Sequence, residues 1–257
     1  MRWSPRAEQR KVLSGHTLVL TYVALLVATE ALAALSVEAS FVCHATLLVV
    51  LLNHATFASP STPVQRALVG LATISALRIA TIVGPQNVIP ETYWDAVAAG
   101  VALTVVAGLG GARLGILPLV KHRSLAGTLG QIAVALSGLV LADAARVICA
   151  PAEPPVDDRY AVAVVAGLSG LTLEVLFRGV LQASLMTMFG WWSVGLTTVV
   201  YASFFIAEES AQVALIALLT GAFWGMAAAA TGSLGGVVLS HVLFSVGWSM
   251  GLPGIVS

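Results

Sequence analysis

Glu174 and Arg178 stand four residues apart in the stretch Gly-Leu-Thr-Leu-Glu-Val-Leu-Phe-Arg-Gly, near the middle of a long apolar run. That spacing puts both on one face of a helix, where each offsets part of the other's cost of burial. Further along come Glu208 and Glu209, adjacent at the end of the next apolar run, and then His241 and Ser245, four apart within the last one. A carboxylate, an imidazole and a hydroxyl are the groups that proton transfer and stabilisation of a developing oxyanion require. The plainer reading of the same residues is an ion-pair network that only fixes helix packing. An ionisable group at bilayer depth costs at least ~2.5 kcal/mol, so under either reading these positions are not accidental.

Other polar groups carry less. Glu30 lies in the first apolar run and Arg78 in the third, while Asp143 and Arg146 are three apart near the end of the fifth. All four are expected to form structural pairs within or between helices. His44 and His54 belong to no HExxH or Cys/His cluster, and Cys43 and Cys149 read as packed thiols. Gly108, Gly110, Gly111 and Gly115 have no lysine beside them and no strand before them, so like Gly221 and Gly225 they read as sites of close helix packing. Trp191, Trp192, Tyr93 and Trp94 sit at the ends of apolar runs as interfacial anchors, and Trp224 and Trp248 read as packing groups. No cofactor and no metal is expected.

The elements that must position these groups are transmembrane helices. Of the 257 residues, 58% are hydrophobic and only 9% charged, where a soluble domain carries roughly 25% charged. The apolar runs are long enough to cross a hydrocarbon core of about 30 Å as helix. Lipid offers no partners to backbone groups, and continuous runs without strict alternation decide for helices over a closed barrel. The sequence predicts spans at roughly 17–37, 40–57, 66–84, 95–112, 126–149, 160–188, 193–208, 211–230 and 234–250, eight or nine in all. The expected fold is therefore all-α, a polytopic helical bundle. The Pro-rich loop at 150–159 divides an N-terminal group of about five spans, residues 1–150, from the part that carries the motifs, residues 160–251.

Charge sets orientation and excludes partners. The net charge is zero, which argues against nucleic acid. The basic N-terminus leads into an apolar run too long for a cleaved signal, and is read as a retained anchor. Arg2, Arg6, Arg10 and Lys11, then Arg66, then Arg113, Lys121 and Arg123 fall on one side when spans are counted. The loops at 85–94 and 150–159 fall on the other side and carry mostly Asp and Glu. The excess of Lys and Arg places the N-terminus in the cytoplasm, in a multi-pass protein of the cell membrane.

The order of motifs resembles a known family. Leu-Glu-Val-Leu-Phe-Arg-Gly at 173–179 looks like the first motif of the CPBP family, the CAAX-protease and bacteriocin-processing group of intramembrane endopeptidases. Phe204-Phe-Ile-Ala-Glu208 looks like its second, and His241-Val-Leu-Phe-Ser245 like its third, with Gly221-Ala-Phe-Trp-Gly225 and Thr231-Gly-Ser-Leu234 as the spacer between them. The resemblance covers about residues 160–250. It implies a core of about four helices and an ancestral, metal-independent hydrolysis of a peptide bond near the membrane, on a prenylated or leader-bearing substrate.

The family's catalytic positions are only half kept. Its first-motif glutamate pair falls on Leu173 and Glu174 and its arginine on Arg178. Its second-motif histidine falls on Glu208, and its third-motif histidine and asparagine fall on His241 and Ser245. Leucine takes no proton, and a missing base costs about 10²–10⁴ in rate. Two readings follow. In one the site is rewired, with Glu208 as base, His241 and Ser245 as oxyanion donors, and Glu174–Arg178 as the pair that orients them. In the other the chain is a non-catalytic relative acting as subunit, scaffold or assembly factor of a membrane-protein complex.

Overall fold

The computed structural model describes residues 5–59, 62–83, 94, 98, 100–102, 118, 125–149, 159–206 and 211–250. Among them there are helices and no strands. Helix α1 spans Pro5–Ala33, α2 Val37–Phe57 and α3 Pro63–Val83. Helix α4 spans Leu125–Cys149 and α5 Arg159–Glu174. A π-helical segment at Val175–Gln182 runs without a break into α6, Ala183–Phe189. Then come α7 at Trp192–Ser203, α8 at Ala211–Thr231 and α9 at Gly235–Met250. Among the described residues six helical runs, with α5, the π segment and α6 counted as one, are long and apolar enough to cross a membrane, and the run Gly235–Ser249 is apolar but shorter. The chain is a polytopic helical membrane protein.

Local chemistry sets the ends of these helices. Ser36 caps α2 by accepting from the Ala39 amide at 3.1 Å. Thr62 does the same for α3 through Gln65 N–H, with Pro63 in the first helical position, where its missing N–H costs nothing. Gly190 and Gly232 take positive φ values of 55° and 62° after α6 and α8, a conformation that stops a helix and that side chains with a Cβ resist.

One boundary differs from the sequence reading. The predicted span at 193–208 ends as helix at Ser203, and Phe204, Phe205 and Ile206 continue in tighter turns, their amides bonding the carbonyls three residues back. Hydropathy does not see this break, because the apolar run continues through it. The predicted span at 95–112 lies mostly outside the described residues, as do the loops at 85–93 and 150–158.

A single apolar core joins both halves of the chain. It runs from Leu26, Leu51, Leu68 and Leu71 of α1 to α3, through Leu176, Phe177 and Leu181 of the π segment, to Trp224 of α8 and Val237 of α9. Helix α4 lies to the outside, burying mainly the small residues Ala135, Gly138, Ala142 and Ala145. This stripe lets α4 and α9 approach at backbone distance, since a Cβ at Gly138 would overlap the Ser240 carbonyl. Arg146 donates to the Trp248 carbonyl at 2.6 Å and ties the end of α4 to the same helix. The outward faces carry exposed Leu, Val and Ile, as a surface bathed in acyl chains requires.

Candidate active site

The π segment carries the first motif. Its widened turns fall where functional helices often depart from α geometry. Glu174, at its start, and Arg178, within it, are both fully buried, with Arg178 Nε 3.5 Å from Glu174 Oε2. Glu174 Oε1 accepts from Nδ1 of His241, 2.7 Å away on α9. One carboxylate thus bridges a guanidinium and an imidazole, and the His241 ring keeps Nε2 for a partner other than Glu174.

Glycines on α8 complete the arginine's surroundings. Arg178 Nη2 donates to the Gly221 carbonyl at 2.9 Å, and one helical turn further Gln182 Nε2 donates to the Gly225 carbonyl at 2.8 Å. Both carbonyls are reachable because no side chain stands over them. A Cβ at Gly221 would come within 2.9 Å of Tyr201 and 3.2 Å of Arg178, and one at Gly225 within 3.0 Å of Gln182. The guanidinium carbon lies 4.6 Å from the centre of the Tyr201 ring, a cation–π contact between two buried groups.

His241 is fixed on its other sides by aromatics. Its ring stacks on Trp224 with centroids 4.1 Å apart and planes 16° from parallel. Trp224 itself donates to Ser240 Oγ at 3.0 Å. The Tyr201 hydroxyl stands 3.5 Å from His241 Nε2.

Beside this cluster opens a cleft of about 210 Å³ between α5, α7, α8 and α9. Each long helix contributes a stripe with helical spacing, such as Ala166, Gly170 and Leu173 from α5 and His241, Ser245 and Trp248 from α9. Phe205, Ile216 and Thr220 close it. Leu173 faces this cleft, while Glu174 and Arg178 lie behind the wall. A Cβ at Gly170 would meet both His241 and Ser245 Oγ within 3.3 Å, so an absent side chain keeps that floor open.

Of the residues singled out from sequence, the fold brings Glu174, Arg178 and His241 into direct contact, with Ser245 one turn on along α9 and on the cleft wall. Glu208 and Glu209 lie outside the described residues, between Phe205 on the cleft wall and Ala211 at the start of α8. Tyr201, Gln182 and Trp224 were not picked out as site residues. Gln182 had a usable signal, standing four residues after Arg178. Trp224 read only as a packing group, and nothing in its spacing announces the stack on His241.

No curated relative and no solved structure matches the chain. A family of type II CAAX prenyl endopeptidases, described as Rce1-like, matches residues 155–247. That interval holds all three motifs, the Glu174–Arg178–His241 cluster and most of the cleft wall. Residues 155–247 of this multi-pass membrane protein are accordingly similar to the Rce1-like type II CAAX prenyl endopeptidases of the CPBP family.

Proposed function

We propose that the cleft receives a hydrophobic or lipidated peptide segment from the bilayer and holds it without cutting it, the chain acting as a subunit or scaffold for another membrane protein. The observation that carries this reading is the pair Leu173 and Glu174. Where the family keeps a water-activating glutamate, the cleft wall presents Leu173, and the neighbouring carboxylate is turned away and committed to Arg178 and His241. Loss of the base costs about 10²–10⁴. Replacing an oxyanion-stabilising asparagine by the shorter Ser245 threatens a further factor of about 10²–10³. What remains is an apolar groove with a few convergent polar groups, the form of a binding site. The excess of Lys and Arg ahead of the first apolar run supports a location in the cell membrane with the N-terminus cytoplasmic.

One observation favours a second reading, a rewired hydrolase. The 2.7 Å bond from Glu174 holds His241 with Nε2 directed toward Tyr201, beside the cleft, as a general acid or base must be held. In that reading Glu208 is the base, His241 and Ser245 donate to the oxyanion, and Glu174 with Arg178 orients the imidazole.

The test uses the full chain in lipid nanodiscs with a farnesylated peptide and an unprenylated hydrophobic peptide, each carrying a benzophenone. Expected are crosslinks to α5 and α9 and no product peptide. If neither peptide crosslinks, docking is wrong. If the wild type cleaves, and Glu208→Gln and His241→Ala each abolish cleavage while folding persists, the hydrolase reading replaces it.

A further inference from the structure

A second buried cluster lies outside the matched region, on the N-terminal helices. Glu30 of α1, His44 of α2 and Arg78 of α3 are all buried. Glu30 Oε1 is 3.3 Å from His44 Nε2, and Glu30 Oε2 is 2.9 Å from Arg78 Nε. The plan repeats that of Glu174, His241 and Arg178, one carboxylate bridging an imidazole and a guanidinium.

Aromatic rings connect the two clusters. The Arg78 guanidinium carbon is 5.5 Å from the centre of the Phe204 ring. Phe204 meets Phe177 edge to face, with centroids 5.6 Å apart, and the guanidinium carbon of Arg178 is 5.9 Å from the Phe177 ring. Two rings, one opening the second motif and one inside the first, therefore stand between two buried cations. Helix α3 also packs directly on the π segment, with Gly70 against Val180 and Leu181. A buried ion pair is weak evidence for stability, since apolar replacements often fold as well, and its best-attested use is to specify one arrangement. Here the arrangement specified is that of Phe204, whose neighbour Phe205 forms part of the cleft wall.

We infer that Arg78, held by Glu30 and His44, is a positioning residue for the cleft. It fixes the Phe204 ring and through it the turn at 204–206 that begins the second motif. Only the purpose assigned to the cleft rests on the docking reading above. The N-terminal helices are then part of the site rather than an appendage to it.

The experiment places 4-fluorophenylalanine at position 205 of the full chain in nanodiscs and records its fluorine NMR line alongside peptide crosslinking. The double variant Glu30→Gln/Arg78→Gln removes both charges and strands neither. If the pair were only structural, the double variant would match wild type in both readouts. Positioning instead gives wild-type helix content, a shifted or broadened fluorine line, and crosslinking reduced about tenfold or more, as loss of a desolvated cation–π contact implies. Phe204→Leu reproduces these effects, whereas Phe204→Tyr, which keeps the ring, retains the wild-type line. Phe204→Leu also decides the matter should the double variant not fold. An unchanged line in Phe204→Leu, or a wild-type line already broad, overturns the proposal. A wild type that captures no peptide sinks the docking reading alone, because the fluorine line still reports on Phe204.

Discussion

Glu174 is the residue on which the candidate site turns, because it is the only carboxylate seen to touch both Arg178 and His241 among the described residues. Glu174→Gln leaves the buried Arg178 cation without its counter-charge, and breaking a buried pair in this way costs about 3–5 kcal/mol. Thermal unfolding in detergent should therefore fall well below that of wild type, with the Trp224 emission changed as the imidazole stacked on it loosens. Arg178→Met in the same background should recover much of the loss, since it removes the stranded charge. An unperturbed Glu174→Gln protein would mean that the bridge from Glu174 to Arg178 and His241 does not hold the cluster together. The Glu174–Arg178 pairing was legible in the sequence because four-residue spacing on one helix is a local rule. That Glu30 and Arg78 would pair was also expected, but not which residue each would meet nor that His44 joins them, because the cluster spans three helices. His44 in particular was read only against metal-ligand spacing, which it does not fit.

Among the elements, the contact of α4 with α9 and that of α8 with the π segment both rest on missing side chains. Gly138→Ala drives a Cβ into the Ser240 carbonyl, and overpacking of this kind costs about 1–3 kcal/mol. Since Ser240 precedes His241 and receives the Trp224 N–H, the strain should also reach the imidazole. The check is a loss of thermal stability together with a change in Trp emission, and a variant with wild-type stability would show that α4 can slide aside. Gly221→Ala acts more locally. Its Cβ competes with Tyr201 and Arg178, so the Arg178 bond to the Gly221 carbonyl should lengthen while α8 itself, gaining a better helix former, is not weakened. Peptide crosslinking should drop more than stability does, and a parallel drop would assign the glycine to packing alone. Close packing at Gly221 and Gly225 was readable from composition, whereas the service those glycines perform, baring two carbonyls for Arg178 and Gln182, needs the partner helix in view. The end of α7 escaped for a different reason, since hydropathy measures burial and not whether the backbone stays helical.

At the scale of the whole molecule, the apolar core is continuous from α1 to α9, so the orientation of any one helix in the membrane sets that of the rest. The excess of Lys and Arg at the N-terminal end of α1 and at Arg66 in the first turn of α3 argues that the N-terminus and the turn joining α2 to α3 share the cytoplasmic side. The turn between α1 and α2, where Leu35 is exposed, must then lie outside, because α2 is long enough to separate the two turns by the full membrane. Single cysteines test this in intact cells, at Leu35→Cys and Ser59→Cys, in a chain whose Cys43 and Cys149 are replaced by alanine. A membrane-impermeant maleimide should label position 35 directly and position 59 only after permeabilisation. The reverse pattern would invert the molecule. That would also move the side of the membrane on which a peptide must be presented to reach the cleft.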